Sequence, residues 1–196
     1  MTSILDTELT HDAFLGGQLH LWQPRQGYRA GVDPVLLAAS VPAKQGQSVL
    51  DLGCGVGAAA LCLGTRVPGL RLLGIERQSH YAALAARNGL EVFTADLSAP
   101  PVELRDQSFD HVLANPPYFD RSAGFRPQDS GREAAMGIDT PLVSWMDAAA
   151  RRLRHKGHLH LIHRAERVPD ILGAANGRLG SPEIWPLCPR VGKAAE

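Results

Sequence analysis

The chain is 196 residues long, 44% apolar and 20% charged, with 20 Lys and Arg balanced by 20 Asp and Glu. That length and composition fit one domain over residues 1–196 and exclude disordered, collagen-like and low-complexity chains. No run approaches about 18 consecutive apolar residues, Met1 to Asp6 shows no basic-then-apolar leader, and Cys54, Cys62 and Cys188 form no CxxC pair, which together read as a cytoplasmic chain with free thiols and no membrane span.

Charge is unevenly spread. Residues 1–143 hold 11 Lys and Arg against 15 Asp and Glu, a net −4, and residues 144–196 hold 9 against 5, a net +4. A basic bias of that size reads as a solvated face, and it is also compatible with a nucleic-acid partner.

In chain order, residues 18–29 mix polar and apolar positions around Pro24 and Gly27 and read as a short hairpin or extended lead-in. Asp33-Pro34 has the form of an N-cap followed by proline at the first helical position, and opens a helix through about Ser40. Ser48 to Leu52 is a short apolar run ending in glycines, the pattern of a buried parallel strand. An alanine- and leucine-rich helix follows from Ala58 to Arg66, stopped by Pro68-Gly69. Leu70 to Ile75 predicts a second strand. Ser79 to Asn88 predicts a second helix, with Ser79 as N-cap and Gly89 as its stop. Glu91 to Thr94 and Phe109 to Ala114 are a third and a fourth strand. Leu142, Met146, Ala149 and Leu153 recur at helical spacing and place a helix over 142–154. Gly157 to Ile162 is a fifth strand, Val168 to Ala175 a further helix, and Glu183 to Cys188 a sixth strand weakened by Pro186. After Pro189 only Arg190 to Glu196 remain, too short and polar for another buried strand. Strands alternating with helices predict an α/β open parallel sheet with helices on both faces, which binds ligands beyond the C-terminal ends of its strands.

The motifs fall at those ends. Asp51-Leu-Gly53-Cys-Gly55-Val-Gly57 sits between a strand and a helix, where glycines let the backbone turn tightly and approach a ligand. Its GxGxG spacing is not the GxGxxG dinucleotide fingerprint. Glu76 follows the second strand, where a carboxylate can accept both ribose hydroxyls of a nucleoside. Asp96 follows the third strand, placed for the amino group of an adenine or for capping a turn. The fourth strand runs into Asn115-Pro116-Pro117-Tyr118. The prolines fix two φ angles and leave the Pro116 carbonyl free in a rigid frame. The Asn115 side chain adds a second acceptor, and Tyr118 a face on which a flat base can stack. Two acceptors and a stacking plate suit a planar group bearing NH2.

The order of these motifs resembles the S-adenosylmethionine-dependent methyltransferases that modify exocyclic or amide nitrogens. The lead-in Gly16-Gly17-Gln18-Leu19, with Gln23-Pro24-Arg25-Gln26-Gly27-Tyr28-Arg29-Ala30-Gly31-Val32-Asp33, is more particular. Together with Asn115-Pro-Pro-Tyr-Phe119 it resembles the family of bacterial tRNA1(Val) adenine-37 N6-methyltransferases over about residues 9–193. The resemblance implies a class I, Rossmann-like, doubly wound, mostly parallel sheet. It also implies S-adenosyl-L-methionine as cofactor, a tRNA substrate, and a pocket to which the lead-in 1–33 contributes Tyr28, Arg29 and Asp33. Asp51, Gly53, Gly55, Gly57, Glu76 and Asp96 would hold the cofactor, and Asn115, Pro116 and Tyr118 the target amine. Such sheets have seven strands, the last antiparallel. With six counted here, the expectation is a sheet lacking its last strand, with an unpaired gap or edge beside the fifth. Two other readings stay open: a methyltransferase of a protein glutamine amide, and a cofactor-binding chain with little activity.

Other signals carry less. Alternation puts His158 and His160 on one strand face and His163 on the other, so the three cannot converge on a metal. Cys54 lies in the glycine loop, where a thiol can touch a cofactor, and reads first as a small packed thiol. Arg151, Arg152, Arg154 and Lys156 end a helix, where cations suit the dipole whether or not RNA is near.

Overall fold

The computed structural model describes residues 6–117, 140–188, 190 and 193–195. Strands β1 (Leu9–Phe14) and β2 (Leu19–Pro24) form an antiparallel hairpin, with His11 opposite Trp22 and Ala13 opposite His20. The expected lead-in is thus a true hairpin, and its first strand begins well before residue 18. Helix α1 (Asp33–Ser40) takes Asp33 as its first residue rather than its cap, with Val32 in the cap position. The main sheet follows: β3 (Ser48–Leu52), α2 (Ala58–Arg66), β4 (Arg71–Glu76), α3 (Ser79–Arg87), β5 (Glu91–Thr94), a single turn α4 (Val102–Arg105), β6 (Phe109–Ala114), α5 (Leu142–Arg152), β7 (Leu153–Leu161) and α6 (Val168–Ala175).

The strand order is β5-β4-β3-β6-β7, and every pairing is parallel. The chain winds outward from β3 through β4 to β5, then returns to lay β6 on the other side of β3. The winding therefore reverses between β3 and β6, and a crevice opens there at the C-terminal ends of the strands. All five residues of β3 are buried, as a central strand covered on both faces requires. On one face Leu50, Leu52, Ile75, Val112 and Ala114 pack against Leu104 of α4 and Trp145, Ala148 and Ala149 of α5. On the other, Val49 and Leu113 pack against Leu37 and Ala38 of α1 and Ala59, Cys62 and Leu63 of α2. The hairpin is held by Leu9 and Leu21 against Val56, Ala58, Tyr81 and Leu84, at the N-terminal turns of α2 and α3.

Just past α3, the Asn88 side chain clamps β2. Its Oδ1 accepts the Trp22 N–H at 2.8 Å, and its Nδ2 donates to the carbonyls of Trp22 at 3.1 Å and Val56 at 2.9 Å.

Three further expectations need correction. Ser79 is the first residue of α3 rather than its cap, and Gln78 holds the cap position. Glu183 to Cys188 is not a strand: residues 181–188 carry no regular structure. Pro182 and Pro186 each lack a ladder donor, and Ser181 at φ 52° turns the backbone out of the extended region. Among the described residues the main sheet therefore has five strands, with β5 and β7 as its edges. The helix expected over 142–154 ends at Arg152, and β7 starts at Leu153, four residues early. The extra residues enter through an irregular register between Phe109 and His111, beside Lys156 at φ 64°.

Candidate functional site

The crevice at the β3/β6 reversal is a pocket lined by residues at the C-terminal end of every strand of the main sheet but β7: Asp51 in β3 and Gly53 to Val56 after it, Glu76 ending β4 with Arg77 and Gln78 after it, Ala95 to Leu97 after β5, and Asn115 to Pro117 after β6. Because the sheet order is β5-β4-β3-β6, Asp96, Glu76, Gly53 and Asn115 stand in a row across the sheet's C-terminal edge.

The glycine loop is built by left-handed turns. Gly53, Gly55 and Gly57 have φ of 61°, 56° and 86°, a region that residues with a Cβ rarely enter. A Cβ on Gly53 would also stand 2.6 Å from Cη2 of Trp145, so the first turn lies directly on that ring. Gly57 N–H closes the loop on the Cys54 carbonyl at 2.8 Å and leads into α2.

Two buried carboxylates face this loop. Glu76 is 7% exposed; Oε2 accepts the Gly55 N–H at 3.0 Å and Oε1 the Gln78 N–H at 2.8 Å. Each oxygen thus has one protein donor and capacity for another. Asp51 is 2% exposed and accepts the Ala60 N–H at 3.2 Å, capping the first turn of α2. Burial pushes its carboxyl up to about 7, the Ala60 N–H pulls down, and the Glu76 charge pushes further up. Asp96 is held below the ordinary carboxylate range by the hydroxyl and N–H of Ser98, at 2.6 and 2.8 Å, and by Arg77 at 3.4 Å.

The lead-in supplies a wall. The Tyr28 ring lies against Gly55, and the Tyr28 N–H donates to the Tyr81 hydroxyl at 2.8 Å. Burial, then Asp33 and Asp51, push the Tyr28 phenol up to about 12, so it stays protonated. Ala30 and Asp33 line the same pocket. Arg29 does not. Its guanidinium turns back to the hairpin, on Asp12 at 2.7 Å and on the Thr10 hydroxyl and Pro24 carbonyl at 2.8 Å. Asn115 and Pro116 line the pocket, and within the described residues no hydrogen bond engages the Asn115 side chain or the Pro116 carbonyl. Tyr118, the expected stacking plate, lies outside the described residues.

Sequence reasoning missed Trp145 and Thr140, which also line the pocket. Trp145 is 6% exposed, and its indole Nε1 is buried without a hydrogen-bond partner among the described residues. Its signal was the shared helical face with Ala148 and Ala149, visible only as core spacing. Cys54 is buried beneath Gly74 and also lines the pocket, its thiol pushed up mainly by burial. The basic run at the end of α5 is partly spent inside the chain. Arg152 donates to the Leu104 carbonyl at 2.6 Å and also to the Arg105 carbonyl, and Arg154 pairs with Asp110 at 2.7 Å. His158 and His160 do share a face, with His111 of β6 as their neighbour rather than His163. His111 Nδ1 is 3.1 Å from His160 Nε2, and no group of three His, Cys, Asp or Glu among the described residues is placed to hold a metal ion. No helix among the described residues is long and apolar enough to cross a membrane.

Residues 31–178 match the model of a family described as the methyltransferase small domain. A curated protein from Porphyromonas gingivalis strain W83, named tRNA1(Val) (adenine(37)-N6)-methyltransferase, is 32% identical over 193 residues, which cover 88% of this chain and 73% of that one. A protein of the same name from Haemophilus influenzae strain Rd is 29% identical over 153 residues, covering 74% of this chain. The match spans 65% of that relative's length. Among solved structures, a predicted O-methyltransferase from Agrobacterium tumefaciens superposes with TM-score 0.67 at 28% identity, covering 83% of this chain and 76% of that one. A Thermus thermophilus 16S rRNA N2 G1207 methyltransferase, solved with AdoMet and guanosine, superposes with TM-score 0.60 at 26% identity, covering 88% of this chain and 40% of that one.

Proposed function

This chain belongs to the methyltransferase small-domain family, and we propose that it methylates the N6 amino group of an unpaired adenine in tRNA, adenine-37 of the anticodon loop as in the name its relatives bear. S-adenosylmethionine is the cofactor, and it supplies an electrophilic methyl group on a sulfonium. The pocket fits it. The unused acceptor capacity of Glu76 matches two ribose hydroxyls, Asp96 stands one strand further out for an adenine amino group, and the left-handed glycine loop keeps side chains out of the ligand's path.

The observation that carries the reading is a pair of acceptors beside that row, the Asn115 amide oxygen and the Pro116 carbonyl, which no hydrogen bond engages among the described residues. Adenine N6 is a weak nucleophile because its lone pair is delocalised into the ring. Accepting both N6 hydrogens at Asn115 and Pro116 localises the lone pair and aims it at the glycine-loop side of the pocket. No tuned general base is needed, because the proton can leave to water after transfer. Orientation is the main device, worth about 7–11 kcal/mol in well-aligned systems. The base must be unstacked to enter, which a loop nucleotide does at little cost.

Incubation with methyl-labelled S-adenosylmethionine, with either bulk tRNA or a glutamine-bearing release factor as acceptor, tests the reading. Label in tRNA, recovered as N6-methyladenosine by nucleoside mass spectrometry, is the expected result. Label in the protein acceptor alone would overturn it.

A further inference from the structure

Asp96 is placed by the sequence either to meet an adenine amino group or to cap a turn, and in the structure the capping falls to one oxygen alone. Oδ1 accepts the Ser98 N–H at 2.8 Å and the Ser98 hydroxyl at 2.6 Å. The Asp96 carbonyl accepts the Ala99 N–H at 3.0 Å and closes the turn. Two donors fill the two lone-pair sites of Oδ1. Oδ2 has only Arg77 Nη1, at 3.4 Å, beyond the usual N–H···O range.

The two oxygens face different parts of the molecule. Ser98 is exposed, takes no part in the pocket, and lines the gap between α4 and α5 with Leu104, Ser144 and Asp147. Arg77 directly follows β4 and lines the pocket, as Asp96 does. Oδ1 is therefore held on the Ser98 side, outside the pocket lining, and Oδ2 on the pocket side. The last torsion of an aspartate is otherwise broad, and turning this one would break both Ser98 bonds. Arg77 does not do the same work, because its pair with Asp96 is long and both side chains are about a third exposed. The turn is also fixed to the ribose site, since the Ala95 N–H donates to the Glu76 carbonyl at 3.0 Å. The Ser98 donors, ahead of Arg77, hold the Asp96 carboxyl below the ordinary range, so at neutral pH it is purely an acceptor.

We propose that Ser98 is a positioning residue that sets the preference of the pocket for a 6-amino purine in its cofactor. By tying down Oδ1 it leaves Oδ2 to accept the amino group of the cofactor's adenine. A 6-oxo purine brings a second acceptor against that oxygen and is rejected. This rests on Asp96 being the adenine partner, as read above.

Calorimetry on the full chain with S-adenosylhomocysteine and its deaminated counterpart, S-inosylhomocysteine, tests it. Neither ligand has a methyl group to transfer, so the outcome is independent of which acceptor is methylated. Wild-type protein binds the amino form at least about tenfold more tightly, the scale of one hydrogen bond to a charged group. Ser98→Ala weakens S-adenosylhomocysteine by about fivefold, the scale of one net hydrogen bond, and leaves S-inosylhomocysteine unchanged, so the preference shrinks by the same factor. Ser98→Thr keeps the hydroxyl and retains the wild-type preference. Equal losses for both ligands in Ser98→Ala would mark a merely structural residue and overturn the proposal, as would a Thr variant no better than Ala. Asp96→Ala separates the two layers. If it abolishes the preference while Ser98→Ala leaves it untouched, Asp96 stands as the adenine partner and the role of Ser98 falls. If Asp96→Ala leaves the preference intact, both fall.

Discussion

Gly53 answers to two constraints at once: a φ of 61° and a tryptophan ring where its Cβ would be. Gly53→Ala should therefore cost about 1–2 kcal/mol for the backbone and about as much again for overpacking on Trp145. Chemical denaturation should show that loss together with weakened cofactor binding, and Trp145→Leu should recover part of the stability without restoring affinity. Glu76 is similarly doubled, because its oxygens hold Gly55 and Gln78 as well as facing the pocket. Glu76→Gln would turn an amide N–H toward one of those donors, so both stability and cofactor affinity should fall, affinity by more than tenfold in calorimetry. Among the described residues no hydrogen bond engages the Asn115 side chain. Asn115→Ala should leave cofactor affinity within about twofold and cut kcat by a factor of about 10² to 10³, the scale of losing one acceptor of the transition state. Equal losses in both quantities would make Asn115 a framework residue. The carboxylates and glycines were legible because each lies at or just past the end of a strand. Arg29 was not: its partner Asp12 lies on another strand, and local spacing says nothing of such pairs. Trp145 was hidden because only the packing of α5 brings it under the glycine loop.

At the level of elements, two titrations pull in opposite directions. Burial, then His111 and His158, bring the His160 imidazole down to about 4 from an ordinary 6.5, and burial lowers His111 in the same way. Between about pH 6.5 and 4 the unfolded chain binds the His160 proton and the folded chain does not, so the β6–β7 pairing weakens as pH falls through that window, and the lowered His111 acts in the same direction. Asp51 has the reverse sign. Its folded carboxyl keeps a proton between about pH 4 and 7 that the unfolded chain has released, so its contribution falls as pH rises. Melting curves on cofactor-free protein should show Asp51→Asn gaining on wild type as pH rises from about 5 to 8, while His160→Leu loses less than wild type on acidification. Parallel curves for all three proteins would refute both assignments. Most elements were readable from apolar periodicity and punctuation: β3, α2, β5, β6 and α6 begin and end where the pattern puts them. The failures share a cause. The hairpin's first strand and the early start of β7 depend on pairing partners rather than local pattern, and Glu183 to Cys188 has strand-like residues with no ladder to join.

Across the whole molecule, the reversal between β3 and β6 gathers residues from position 28 to 145 into one pocket. Ligand binding there should stabilise the entire cooperative unit. At about 100-fold excess over Kd the gain is about 2.7 kcal/mol, or about 5–10 °C in Tm for a chain of this size. S-adenosylhomocysteine should produce that shift in wild-type protein and little of it in Glu76→Gln. The alternating pattern announced the doubly wound sheet, but the strand order had to be seen, since periodicity carries no information on which side of β3 the chain returns. The Asn88 clamp has a kinetic counterpart. One amide side chain serves as the strand partner of β2 and simultaneously grips the Val56 carbonyl at the end of the glycine loop. Hairpin and loop must then open to solvent together rather than in turn. In amide hydrogen exchange, the Trp22 N–H, which touches no part of the pocket, should slow in step with the glycine loop when cofactor binds, and Asn88→Ala should let the two exchange at independent rates.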